Sequence, residues 1–220
     1  MIIGDHIMNT NHFNYSRLRG EMVDYEYIIA IGISTGGPKL LNQLLTTLEA
    51  EWPATYMIVQ HMPPGFTKPL ATRLNTISPL EVKEAENGEK LKKGFVYIAP
   101  GGKQLQVVNE STPEVRVTDG DPYKGHRPSV NVMLNSLASL NLKNRQVIAI
   151  IMTGMGSDGL EGVENLKSTH KCTVIAQDKD TCTVYGMPKA IVNAGFADYV
   201  VPADEIKQTI QRIVGDNHGR

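Results

Sequence analysis

Hydrophobic and polar positions recur along this chain with two different periods, and the switches between them divide it into units. Residues 27–33, Tyr-Ile-Ile-Ala-Ile-Gly-Ile, form an unbroken apolar run of strand length. Apolar residues then return at Leu40, Leu41, Leu44, Leu45 and Leu48, the spacing of one helix face, which predicts a helix over about 38–49. Tyr56 to Val59 reads as a second buried strand ending at Gln60-His61, and Leu70, Ala71 and Leu74 mark a helix over about 67–76. A strand that is apolar throughout is covered on both faces, and a helix between two such strands makes them parallel neighbours joined by a right-handed crossover.

The middle of the chain reads differently. Val82, Val96-Tyr97-Ile98, Leu105 to Val108 and Val115-Arg116-Val117 are short β-rich pieces, punctuated by Asn87-Gly88, Pro100-Gly101-Gly102 and Thr112-Pro113. That spacing predicts antiparallel hairpins. Residues 119–128 hold too many turn residues for either regular element. Alternation then resumes with a helix over about 129–140, the strongly apolar strand 147–152, helix 159–168, strand 173–177, helix 186–194, strand 197–201 and helix 204–214. Gly195 suits the position just past a helix and Asp204 suits an N-cap. The expected architecture is α/β: a doubly wound, mostly parallel sheet with an antiparallel β-hairpin insertion at one edge. Residues 1–26, polar and aperiodic, are expected to form a tail or linker, 27–216 the folded domain, and 217–220 a C-terminal tail.

Composition narrows the function classes. With 220 residues, 41% hydrophobic and 20% charged, the chain can build one substantial core. A formal net charge of -1 gives no reason to expect nucleic acid as a partner. No apolar run is long enough to span a bilayer and no secretory signal pattern begins the chain, so no membrane insertion is expected. Cys172 and Cys182 make no disulfide framework and read as reduced, partly buried thiols. Together these features predict a cytoplasmic location.

In an open parallel sheet, ligands bind beyond the carboxyl ends of the strands. Ser34 follows the first strand, in the turn Gly32-Ile33-Ser34-Thr35-Gly36-Gly37-Pro38, and His61 follows the second. Thr153-Gly154-Met155-Gly156-Ser157-Asp158-Gly159 follows strand 147–152. A serine needs a base to act as a nucleophile, and the base needs a carboxylate to orient it. His61 and Asp158 can fill those roles. His6, His12, His170 and His218 lie away from this edge; His126 lies near it, but only His61 directly ends a strand. Asp178, after strand 173–177, competes with Asp158, and Asp158 could instead cap helix 159–168. Backbone N–H groups after Ser34 and in the 153–157 turn could hold an oxyanion, and equally a phosphate in a non-catalytic binding module. No H-E-x-x-H or cysteine–histidine cluster suggests a metal. The dinucleotide fingerprint fails because Ser34 stands where its second glycine belongs. Gly32, Ser34 and Gly36 match G-x-S-x-G, yet the order serine, histidine, aspartate differs from that of ordinary α/β-hydrolases.

Six stretches in order carry a resemblance: residues 32–38, Gln-His-Met-Pro-Pro-Gly-Phe-Thr (60–67), Tyr-Ile-Ala-Pro-Gly-Gly (97–102), His-Arg-Pro-Ser-Val-Asn (126–131), residues 152–159, and 176–188 with Tyr185-Gly186-Met187-Pro188. The chain resembles the catalytic domain of the chemotaxis protein-glutamate methylesterases, the CheB type, over roughly residues 27–214. The resemblance implies removal of methyl esters from glutamates of methyl-accepting chemotaxis receptors, and deamidation of receptor glutamines, without a cofactor. By position it implies Ser34 as nucleophile, His61 as base and Asp158 as its orienting acid, with Thr35 and Met155 as active-site neighbours. Arg127 could face an acidic receptor helix. Asn131 stands where the family's pattern leads one to expect aspartate, and Gln104 where it leads one to expect histidine. The family usually carries an N-terminal receiver domain, for which residues 1–26 are too few.

Overall fold

A computed structural model describes residues 25–143, 145–169 and 172–215. Most of the expected N-terminal tail, the C-terminal 217–220 and His170 lie outside the described residues. Tyr25 and Glu26, expected at the end of the tail, belong to the packed body: Tyr25 is buried, Glu26 N–H donates to Pro53 C=O, and Glu26 C=O accepts from Gln146 N–H.

The first unit is β1 (Tyr27–Ile33), α1 (Gly37–Leu45) and β2 (Ala54–Gln60). Every residue of β1 and β2 is buried, and the two pair in parallel, Tyr27 against Ala54 through Ile33 against Gln60. Side chains alternate across the sheet. Tyr27, Ile29, Ile31 and Ile33 therefore join the core under α1, while Ile28 and Ala30 join a second core on the opposite face. That double burial explains why the strand shows no polar–apolar alternation.

After α2 (Thr67–Asn75) come β3 (Glu81–Glu84), β4 (Phe95–Ile98), and the hairpin β5 (Gln104–Val108) and β6 (Glu114–Thr118). α3 (Val130–Ala138), β7 (Gln146–Ile151), α4 (Leu160–Thr169), β8 (Cys172–Gln177), α5 (Met187–Asn193), β9 (Tyr199–Val201) and α6 (Ile206–Gly215) complete the order. The seven-stranded sheet runs β3-β4-β2-β1-β7-β8-β9, with every pairing parallel. α1, α2 and α6 cover one face; α3, α4 and α5 cover the other. This is the doubly wound α/β architecture, and the strand order reverses between β1 and β7, where such sheets open a crevice.

The β-rich middle departs from its expected pairing. Among the described strands only β5 and β6 pair antiparallel, and they form a separate two-stranded sheet against α3, with Val107 N–H donating to Ser136 Oγ. β3 and β4 are parallel and extend the main sheet. Asn87-Gly88 does turn the chain, but residues 88–91 then bond to 113–115 of the hairpin. The chain thereby re-enters the sheet in its original direction. Asp204 is likewise not an N-cap: a short 3₁₀ turn, Ala203–Glu205, follows Pro202, and no side chain caps it. Gly195, with φ of 74°, does follow α5 as expected. Both cysteines are free and half-buried.

Candidate active site

The crevice between β2, β1 and β7 collects the residues after each strand. Parallel neighbours lie about 4.8 Å apart, and Ile33 C=O accepts from His61 N–H at 3.0 Å, so Ser34 and His61 are successive residues along one edge. On its other side Ser34 N–H donates to Thr153 C=O at 2.9 Å. Its carbonyl accepts from Gly37 N–H and from the buried Gln60 Nε2. The backbone is thus pinned from three directions, while Ser34 Oγ makes no hydrogen bond among the described residues.

Close approach of β1 and β7 here depends on glycine. A Cβ on Gly154 would lie 2.8 Å from Ser34 Cβ and 2.3 Å from Met187 Sδ. Thr153 Oγ1 ties the 153–156 turn to Thr35 C=O and Val184 N–H. Two donors remain at the mouth: the N–H groups of Thr35 and Met155 have no partner among the described residues. Thr35 is exposed, and Met155 is 74% exposed.

Asp158 stands in the opposite condition. It is buried, at 4% exposure, and its carboxylate accepts four hydrogen bonds. Oδ2 takes His61 Nε2 at 2.8 Å and Val130 N–H at 2.7 Å; Oδ1 takes Ser129 Oγ at 2.8 Å and Asn131 N–H at 3.0 Å. Burial pushes the carboxyl up, but the hydrogen bonds from His61, Asn131, Val130 and Ser129 together outweigh it and hold the group below its ordinary value of 3.8. Asp158 therefore closes the N-terminus of α3 and not that of α4, its sequence neighbour. The reciprocal cap comes from α3: Asn131 Oδ1 accepts from Gly159 and Gly162 N–H at the start of α4.

Of the remaining expected residues, Arg127 is exposed and donates to the carbonyls of Asp119 and Gly120. Asp178 serves its own loop, accepting from Thr181 N–H and Oγ1, and makes no bond to His61. His126, passed over because it ends no strand, lies face to face with His61, ring centroids 4.3 Å apart and planes 8° from parallel. Gln104 holds its loop, donating to the carbonyls of Asp121 and His126 and accepting from Ser129 N–H. The serine before a helical run, Ser129, was the signal available in sequence for the Asp158 cradle.

His61, His126 and Asp158 place ligand atoms within 4.8 Å of one another. The carboxylate already accepts four bonds, and parallel rings set the imidazole nitrogens side by side instead of converging on one point. The geometry is that of a buried acid gripping a histidine beside a serine with a free hydroxyl.

Comparison with known proteins gives the context. Residues 29–210 match the sequence model of the family described as CheB methylesterase. A protein-glutamate methylesterase/protein-glutamine glutaminase of Geobacillus kaustophilus is 46% identical over 190 residues, 86% of this chain and 54% of that protein. A protein of the same name from Oceanobacillus iheyensis is 49% identical over 185 residues, 83% of this chain and 52% of its own. The crystal structure of the Thermotoga maritima CheB methylesterase catalytic domain superposes with a TM-score of 0.80 at 45% identity, covering 85% of this chain and 98% of that one. The chain spans about half the length of the curated relatives it matches.

Proposed function

The chain belongs to the CheB methylesterase family, and from that premise we propose that it is a serine hydrolase that removes methyl esters from glutamate side chains of chemotaxis receptors and deamidates receptor glutamines. The observation that carries the reading is the His61–Asp158 hydrogen bond at a sheet edge whose next residue across is Ser34.

Ser34 Oγ attacks the γ-carbonyl carbon of the ester. Its proton passes to His61 Nδ1, the ring nitrogen left over once Nε2 is committed to Asp158. The ionised Asp158 stabilises the imidazolium so formed without itself taking the proton. Charge on the carbonyl oxygen is met by the N–H groups of Thr35 and Met155; one such donor contributes about 3 kcal/mol. The C–O bond to the methoxy group breaks, and His61 returns the proton to release methanol. Water then attacks the acyl-enzyme with His61 as base, freeing the glutamate carboxylate and restoring Ser34. A glutamine follows the same path with ammonia as leaving group. No cofactor enters this scheme.

The catalytic unit in this reading is residues 27–216, its substrate the signalling helices of methyl-accepting receptors, and its location the cytoplasm. Among the described residues, no helix is long and apolar enough to cross a membrane. In this reading the exposed Arg127 meets an acidic receptor segment. The test is methanol release from methylated receptor by the wild type and by Ser34→Ala. Loss of turnover on the order of 10⁴-fold is expected; comparable rates overturn the proposal.

A further inference from the structure

Two imidazoles lie face to face in the site, and the scheme above uses one. We propose that His126 is a positioning residue, its flat ring the stop that keeps His61 turned with Nδ1 toward Ser34. This rests on the Ser34–His61–Asp158 reading.

The argument begins with leverage. A histidine ring turns about its Cβ–Cγ bond, and that turn carries Nδ1 toward or away from the serine. In the familiar triad the acid grips Nδ1, next to Cγ and well off the axis. Here Asp158 grips Nε2, on the far side of the ring and closer to the axis. A hydrogen bond there resists the turn less well. A second flat ring 4.3 Å away and 8° from parallel opposes the turn directly, because any rotation drives an edge of His61 into it.

The fold is built to hold that second ring in place. Tyr123 and His126 exchange two backbone hydrogen bonds, each 3.0 Å, across a tight turn. Lys124 and Gly125 occupy it with φ of 48° and 87°, the mirror-image turn that two positive φ values define. Tyr123 OH and Lys124 Nζ both donate to Glu161 on α4, and Gln104 Nε2 grips His126 C=O. The ring nitrogens of His126 make no hydrogen bond among the described residues, and the ring stacks on His61. Burial, and then the charge of His61, hold His126 below the ordinary histidine value.

The test compares wild type, His126→Ala and His126→Phe, with Ser34→Ala as the control for the site. Two quantities are read: kcat and KM for methanol release, and the rate of covalent labelling of Ser34 by a fluorophosphonate. Phenylalanine keeps a flat ring but has no nitrogen, and a cavity of about 370 Å³ beside His126, lined by Lys124, Asn131, Glu161 and Glu164, gives it room. His126→Ala should lower kcat and the labelling rate about 10- to 100-fold, the usual consequence of a misplaced reacting group, with KM within twofold. His126→Phe should recover most of the loss. An alanine variant as fast as wild type, or alanine and phenylalanine variants equally slow, overturns the inference while leaving the hydrolase reading intact. A wild type that does not label at Ser34 overturns that reading and this inference with it.

Discussion

The two ends of the proposed triad are held in opposite ways. Asp158 is buried and accepts four hydrogen bonds, three of them from the first turn of α3 and its cap. Ser34 has a backbone pinned on three sides and a hydroxyl with no bond among the described residues, beside two equally unpartnered N–H groups. The acid end is complete within the folded chain; the nucleophile end has bonds left to make, and a substrate would supply them. Pre-organisation of the base and acid lowers what must be rearranged during reaction, while open valences at the serine leave binding strength to develop around the reacting carbonyl.

This contrast can be broken or sharpened by substitution. Asp158→Asn should match Ser34→Ala in lost turnover, on the order of 10⁴-fold. It should differ in stability, falling by about 1–3 kcal/mol for buried donors left poorly paired, whereas Ser34→Ala leaves Tm unchanged. Equal melting temperatures would abolish the distinction between the two ends. The pH dependence adds a second reading. A carboxyl held below its unfolded-state value contributes stability at all pH above the ordinary carboxylate range, and that contribution is lost as pH falls through the depressed folded value. Wild type should therefore lose this increment only below about pH 4, and Asp158→Asn should show no such step when Tm is followed against pH.

Gly154→Ala probes the nucleophile end. Its new methyl would meet Ser34 Cβ and Met187 Sδ well inside contact distance. Turnover should drop about 10²-fold through displacement of the serine, with an overpacking cost of about 1–3 kcal/mol seen in chemical denaturation. Asn131→Ala should have the smallest effect: about 1 kcal/mol for the lost cap of α4, and turnover within tenfold, because the Asn131 N–H still serves Asp158. A larger catalytic loss would mean that the two caps act as one unit.

How much of this was legible in the sequence depends on the range of the contacts involved. β1 was bounded at Tyr27 and Ile33 because an unbroken apolar run ends in small residues, a local signal. The parallel pairing of β1 with β2 followed from alternation, and a mostly parallel sheet set Ser34, His61 and the 153–158 turn at one edge. β3 and β4 were misread because Asn87-Gly88 is a good local turn, while the bonds that redirect the chain reach to residues 113–115. The role of Asp158 was half legible: its place after β7 was, but the helix it caps lies earlier in the chain and meets it only through packing of α3 on α4. His126 was set aside for ending no strand, and a ring stack leaves no trace in spacing.

The crossed caps of Asp158 and Asn131 have a practical consequence. A chain that captures its substrate without processing it needs a defect confined to chemistry. A change at Asp158 loosens the start of α3, so the inert protein would also be a weakened one, prone to clearance and poor as bait. Ser34 supports nothing around it through its side chain, and Ser34→Ala keeps both helices latched and the histidine oriented. The stable snare for isolating the proposed substrate from cells is therefore the serine variant, made at a residue whose side chain holds no hydrogen bond among the described residues.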